Sequence, residues 1–263
     1  MIAGIDHALI AVEDVEAAMA TYRALGFRVW RGGTHPHHGT QNALVPLSDG
    51  FYLELMGVWD RSLASRHPHT NQVVQSLADA NRLALFALDS DDLDADVEAI
   101  RRRGLPISDP VPGERERPDG ERVAWRTAHP EDPRLPFLIE DVTPRSVRVP
   151  EADEGVGAEL RIARLIIGAS DATGASEALE RLLGGRADQG SLETERGAIG
   201  LASGSSSFAL ERLVLAADGL RRLAEFWSAR GVPFVDSETH TGKRLLIPQE
   251  TAGISFHVIQ LAR

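Results

Sequence analysis

Cysteine is absent from the 263-residue sequence. Disulfide frameworks, thiolate metal sites and cysteine nucleophiles are thereby excluded. Positive charge is in deficit: 28 Lys and Arg stand against 39 Asp and Glu, a net charge of −11. An acidic surface repels nucleic-acid phosphates and anionic lipid. Neither nucleic acid nor a membrane is therefore expected as a partner, and a small-molecule ligand is. No apolar run approaches the roughly 18–20 residues of a membrane helix. The opening residues, Met1 to Asp6, show no basic segment leading into an apolar one, as a signal peptide would. Together with the missing thiols, this makes a cytoplasmic location the expectation. What remains is ordinary globular composition, 43% hydrophobic and 25% charged, at a length suited to one large or two modest domains.

The hydrophobic pattern repeats. Ile5, His7, Leu9 and Ala11 fall on one face of a period-2 stretch, which predicts a strand with one buried face. Asp14 then reads as an N-cap, with Val15, Ala18, Met19 and Tyr22 as a helical stripe and Gly26 as the stop. Strands are predicted at 27–31, 42–47 and 51–58, the last two joined by the turn Ser48-Asp49-Gly50. The order is β-α-β-β-β. It recurs with strands at 83–88, 105–111, 122–127 and 137–141 and a helix at 92–103. A third copy is expected from strand 161–168 and helix 172–183, closing with strands 198–202 and 207–210. A fourth runs through strand 212–216, helix 220–230 and strands 232–236, 244–247 and 254–259.

Three helix-to-strand joints share a formula: Arg23-Ala24-Leu25-Gly26-Phe27, Arg101-Arg102-Arg103-Gly104-Leu105 and Ser228-Ala229-Arg230-Gly231-Val232. A basic last turn suits the helix dipole, and glycine supplies a left-handed cap. Such recurrence marks internal repetition. Residues 144–158 are acidic, contain Gly and Pro, and have little periodicity. They read as a linker between a first domain, 1–143, and a degenerate second pair of units, 159–263. The fold class is therefore α+β: repeated βαβββ units forming curled mixed sheets with helices on the outside.

Four βαβββ units resemble the layout of the vicinal oxygen chelate superfamily of glyoxalases and extradiol dioxygenases. Residues 4–142 are similar in more detail to its glyoxalase-like domain family. The matching stretches are Ile5-Asp6-His7-Ala8-Leu9, His35-Pro36-His37-His38-Gly39-Thr40-Gln41-Asn42, Asp49-Gly50-Phe51-Tyr52-Leu53-Glu54-Leu55, Arg117-Pro118-Asp119-Gly120, Trp125-Arg126 and Pro136-Phe137-Leu138-Ile139. The resemblance implies a divalent metal held by residues from the first and last strands of two paired units. Here His7 and Glu54 supply the first pair, Glu140 is the single candidate in the second unit, and Leu83 to Leu85 stand where another ligand would be expected. It also implies a metal-assisted lyase, isomerase or dioxygenase acting on a small oxygen-rich or carbonyl compound. The alternative is a metal-independent protein that binds or sequesters a small molecule. Because such units pair across chains or within one, a homodimer is a further expectation.

His7 and Glu54 carry the chemistry. On strands of matching parity in a curled sheet, both side chains are expected in one hollow. An imidazole and a carboxylate meeting there can bind a metal or act as an acid–base or recognition pair. The bland reading is a satisfied polar pair in a core. Thr40 and Asn42 open a strand facing the same hollow and offer neutral donors and acceptors. Arg117, in a Pro-Asp-Gly turn, and Arg126 are candidate anion contacts, and Trp125 a candidate wall. The loop 32–42, with His35, His37 and His38, reads as a mobile, partly exposed flap. In the second half, Glu211 and His257 fall where a reversed dyad could form, and Arg164 where His7 would be.

Overall fold

The computed structural model describes residues 2–78, 82–203, 208–239 and 242–260. The first unit runs β1 (Ile2–Val12), α1 (Val15–Ala24), β2 (Trp30–His35), β3 (Thr40–Pro46), β4 (Tyr52–Val58). Two short helices follow, α2 (Arg61–Ala64) and α3 (Pro68–Ser76). The second unit is β5 (Leu83–Ser90), α4 (Leu93–Arg102), β6 (Val111–Glu116), β7 (Arg122–Ala128), β8 (Phe137–Asp141). These strands close into a barrel in the order β1-β4-β3-β2-β6-β7-β8-β5. After α5 (Arg145–Arg148) come β9 (Leu160–Ala169), α6 (Ala172–Leu183), β10 (Ser191–Glu193), β11 (Ala198–Ser203), β12 (Ala209–Ala217), α7 (Leu220–Ala229), β13 (Val235–Thr239), β14 (Gly242–Ile247), α8 (Gln249–Ala252) and β15 (Phe256–Gln260). They form an open sheet, β10-β11-β9-β12-β15-β14-β13.

Local chemistry places the helices. Asp14 accepts hydrogen bonds from the backbone N–H groups of Glu16 and Ala17, and Asp92 does the same for Ala95. Each cap satisfies donors that a helix start leaves free. The last turns of α1 and α4 are basic, through Arg23 and Arg101-Arg102, as the dipole favours.

Several boundaries move from the predicted ones. β2 starts at Trp30 and continues through Gly32 and Gly33 to His35, so the expected flap is strand with a tight turn beyond it. Gly33 has φ +147, and a Cβ there would lie 2.1 Å from the Glu116 carbonyl oxygen across the β2–β6 seam. A side chain at this position would hold the barrel open. β6 starts at Val111, and Ile107 makes only an isolated bridge to Pro130. β13 likewise starts at Val235. The two strands predicted at 207–210 and 212–216 are one, β12, with Ser207 outside the described residues. The polar pair Glu211-Arg212 is a slip in pairing with β9, not a break. The third unit is thereby one strand short.

The halves share one hydrophobic core, running from Ile5 and Leu53 in the barrel to Leu165, Leu213 and Phe256 in the sheet. β1 is buried on both faces, contrary to the one-sided pattern. Its outer face supports the second sheet: Ile5 N–H donates to the Arg196 carbonyl at 3.0 Å. Gly4 permits this approach, since a Cβ there would sit 2.6 Å from Arg196 N. Trp227 is fully buried and donates from Nε1 to the Leu25 carbonyl at 2.9 Å. Truncating such a residue costs about 3–5 kcal/mol, so α7 is a firm clamp on the barrel. No helix among the described residues is long and apolar enough to cross a membrane.

Candidate functional site

An eight-stranded barrel is about wide enough for side chains to fill or for one small ligand. Here the interior keeps a cavity of about 960 Å³. Its floor begins with a fault in β1. Asp6 and His7 are sequence neighbours, and regular pleating would send them to opposite faces. The pairing of β1 with β5 slips between Ile5 and His7, which is a β-bulge at Asp6. Ile5 then joins the outer core, and Asp6 turns inward beside His7. Asp6 Oδ1 lies 2.6 Å from His7 Nδ1.

The parallel pairing of β1 and β4 sets His7 opposite Tyr52 and Leu9 opposite Glu54. Tyr52 stacks on the imidazole, with ring centroids 4.6 Å apart. Glu54 Oε2 is 3.2 Å from His7 Nε2. Behind it, Asn42 Nδ2 donates to Glu54 Oε1 at 2.5 Å. The ring thus has a carboxylate on each nitrogen. Below Asp6, Arg148 donates from Nη1 to Asp6 Oδ1 at 3.0 Å and to the Tyr52 hydroxyl at 2.8 Å, and from Nη2 to Asp6 Oδ2 at 2.9 Å. Arg145 also pairs with Asp6, and Arg148 with Asp141. Both arginines come from the segment expected to be a linker, which is packed under the barrel.

Burial opposes every charge in this set, and the partners outweigh it. Burial alone would lower the His7 pKa, but its hydrogen bonds to Asp6 and Glu54 raise it. Burial pushes Glu54 up, while His7 and Asn42 bring it down to about 2. Asp6 is pushed up by burial and held well below the usual carboxylate range by Arg148 and His7. The floor is thus an imidazole whose protonated form is favoured by two flanking carboxylates, backed by a guanidinium.

The walls are apolar: Leu9, Met56, Leu85, Phe137 and Ile139, with Trp125 beside them. At the rim α3 brings His69 Nε2 to 3.0 Å from His129 Nδ1, and the rings of His38 and His67 meet at 4.7 Å. Burial lowers His69 to about 4, and burial with the nearby His69 and His38 lowers His129 to about 3. His69 and His129 are thereby neutral at pH 7.

The predicted residues divide by strand parity. His7, Glu54, Thr40 and Trp125 line the cavity. Thr40 is buried and bonded to His35 Nδ1 at 3.0 Å, so His35 is a wall residue and not part of a flap. Asn42 sits behind Glu54, with Gly32 leaving room for its amide. Arg126 points away from the cavity, one position out of phase with Trp125, and pairs with Asp94 and Glu140. Arg117 stays in its turn, bonded to Asp119 and Glu121. Asp6, Tyr52, Arg115, Arg148 and the His69–His129 pair were missed. For Asp6 the signal was its place beside His7, which the alternation rule discards. Arg148 had no signal, because its segment has no periodicity.

The donor set does not fit the divalent metal that the resemblance implied. Glu140 faces α4, where it takes Arg126 and the Leu93 N–H at 3.2 Å. From its first and last strands the second unit offers Leu85, Phe137 and Ile139 to the cavity instead. Among the described residues no group of three or more His, Asp or Glu side chains converges as metal ligands would, and a firm site wants at least three protein ligands. Both ring nitrogens of His7 are already engaged, by Asp6 and by Glu54.

A family model described as "Glyoxalase-like domain" matches residues 5–183. No curated protein matches the sequence. Among solved structures, a hypothetical protein from Staphylococcus aureus superposes with a TM-score of 0.72 at 13% identity, covering 98% of this chain and 99% of that one. A mutant of 4-hydroxymandelate synthase from Streptomyces coelicolor gives 0.64 at 12%, covering 99% and 93%. A xylose isomerase-like TIM barrel/4-hydroxyphenylpyruvate dioxygenase fusion protein gives 0.63 at 13%, covering 99% and 49%. At these identities the likeness is one of fold. The matched segment takes in all of the barrel but the first three residues of β1 and runs on through β9 and α6, and on that match the chain belongs to the glyoxalase-like domain family of the vicinal oxygen chelate superfamily.

Proposed function

We propose that the protein is an isomerase or lyase that moves a proton on a small carbonyl compound, with His7 and Glu54 as the working pair and no metal in the step. The barrel, within residues 1–143 and backed by Arg145 and Arg148 from the segment that follows, is the functional unit in this reading, and residues 159–263 buttress it. The observation that carries it is the buried His7–Glu54 pair at the floor of an apolar cavity. A ligand carbonyl oxygen takes the hydrogen bond from His7 Nε2 that Glu54 now accepts. Glu54, released, accepts the proton from the adjacent carbon, the protonated His7 ring offsets the developing enolate charge, and Glu54 then returns the proton to the enolate carbon. Asp6 keeps Nδ1 protonated and the ring oriented. An apolar ligand body excludes water, which raises the basicity of the carboxylate.

The test is solvent exchange. Ketones, hydroxyketones and oxo acids are incubated with the protein in D2O, and loss of the α-proton signal is followed by NMR. Wild type is expected to exchange at least one compound, and Glu54→Gln and His7→Gln to slow that exchange by at least about 100-fold. Exchange that persists in both variants, or none across the panel, would overturn the assignment. One observation favours a second reading, metal-independent binding or sequestration: a carboxylate held near pKa 2 is a weak base. Tight ligand binding without exchange would favour it.

A further inference from the structure

Arg115 on β6 is 4% exposed and lines the cavity. One of its donors is used: Nη2 bonds to the Arg148 carbonyl oxygen at 2.6 Å. Its Nε is buried with no hydrogen-bond partner. Among the described residues no carboxylate comes within ion-pair distance of it. The contrast with Arg148 is direct, since that guanidinium holds both Asp6 and Asp141. Nor does the floor have an anion to spare. Glu54 is matched by His7, and Asp6 by Arg148 and Arg145.

A guanidinium taken out of water without a counter-ion is costly, and proteins ordinarily resolve it with a carboxylate or a bound anion. Arg115 opens on the cavity, beside an aromatic wall. Gly113 is two positions earlier on the same strand and opposite Trp125. A Cβ on Gly113 would lie 2.3 Å from Trp125 Nε1, so the missing side chain is what lets the indole lie across the strand. Cation and aromatic face are thus neighbours on one wall.

We propose that Arg115 is the anion anchor of the cavity, and that the ligand is a carboxylate on an apolar, aromatic-sized body. The carboxylate takes the open edge of the guanidinium, and the body packs on Trp125, Phe137 and Leu85. A planar monoanion fits better than a phosphate. The neighbouring walls are apolar, and a phosphate dianion would need more uncommitted donors than one guanidinium edge supplies. The assignment rests on the reading of the cavity as a small-molecule site, and it names the class of ligand.

Naphthalene-2-acetate and its uncharged analogue naphthalene-2-acetamide are titrated into the full chain by calorimetry at pH 7. The acid is expected to bind at least about tenfold more tightly than the amide, a preference of about 1.4 kcal/mol. Arg115→Met is expected to erase that preference and leave the amide affinity as it was. Without ligand, Arg115→Met is expected to melt at or above the wild-type temperature, because it removes an unpaired buried charge. A structural tie to the Arg148 carbonyl predicts the opposite, a lower melting temperature. Equal binding of acid and amide, a preference that survives Arg115→Met, or a marked fall in melting temperature would each overturn the anchor while leaving the cavity reading intact. Failure of both probes to bind wild type would overturn the cavity reading and the anchor with it.

Discussion

β1 in the barrel and β12 in the open sheet share a construction. Each runs parallel to the last strand of its own unit and antiparallel to the first strand of its neighbour. Each slips by one residue near its start, at Asp6 and at Glu211. Three positions further on, Leu9 stands opposite Glu54 and Val214 opposite His257. Counted from the slip, Glu211 takes the place of Asp6, Arg212 that of His7 and His257 that of Glu54. The sequence placed His257 correctly in this register and Glu211 one position off, and the third-unit residue Arg164 stands opposite Val214. The chemistry does not repeat. His257 is half-buried, and burial with Arg212 and Arg244 nearby lowers its pKa to about 4. The barrel instead closes over its dyad, and a segment outside the repeat delivers Arg148 beneath it. Identical backbone register makes a charged site only where closure removes water and a counter-ion is supplied.

The sharpest way to break that comparison is to remove the counter-ion. Arg148→Met leaves Asp6 buried beside a single, less buried guanidinium, Arg145. Losing one partner of a buried pair costs about 3–5 kcal/mol. In the sheet, Arg212→Met is expected to stay within about 1 kcal/mol. Urea unfolding of the two variants decides between them. Equal losses would show that Arg148 is no more than a packed surface residue. The double variant Asp6→Asn, Arg148→Met should regain part of the loss, because the charges then leave together.

Next in size is Glu54→Gln against His257→Gln. The first removes the carboxylate at His7 Nε2 and is expected to cut proton exchange by about 10²- to 10⁴-fold. The second occupies the same register position and is expected to leave exchange unchanged. A loss shared by both would mean that the open sheet contributes to the site. Protonation adds a check within the barrel. The His7 nitrogens should report imidazolium in 15N NMR at pH 7 in wild type, and its pKa should fall in Glu54→Gln.

How much of this was legible follows the physics of each signal. Helix starts at Asp14 and Asp92 and stops at Gly26 and Gly104 are local, and they stood in the sequence. The curl of repeated units was legible because recurrence of β-α-β-β-β is a global pattern that survives errors of a few residues in each strand. The bulge at Asp6 was not, because alternation assumes an unbroken pleat. Arg148 was not, because its segment gains its conformation from the barrel it packs under. Glu140 and Arg126 were misassigned for the converse reason: the residue type was suggestive, and parity sent both outward.

Acid should separate the barrel rim from the rest with a smaller effect. His69 and His129 are held neutral, at about 4 and about 3, against an ordinary value of 6.5. The unfolded chain therefore binds more protons than the folded one below pH 6.5, and stability falls as pH drops from there toward 4. His7 has the opposite sign. Its raised pKa contributes stability that is complete below 6.5 and lost as pH rises through the folded value. Removing one rim imidazole by His129→Gln should flatten the acid limb between pH 6.5 and 4 by about 1–2 kcal/mol. An unchanged limb would mean that the rim histidines are solvated.

The smallest effect tests inside against outside on a single strand. Trp125 and Arg126 are adjacent on β7, the first on the cavity wall and the second facing α4. Arg126 is about one-third exposed, and its partner Asp94 more so. Such pairs contribute about 0–1 kcal/mol, so Arg126→Ala should shift stability by no more than that and leave ligand affinity and exchange alone. Glu140 keeps its bond to the Leu93 N–H, so the start of α4 retains its acceptor when Arg126 is gone. Trp125→Ala, one residue away, should weaken binding of an aromatic ligand while changing no charge. If Arg126→Ala weakened binding as much, its side chain would have to reach the cavity, and the parity that assigns β7 its inner and outer faces would be wrong.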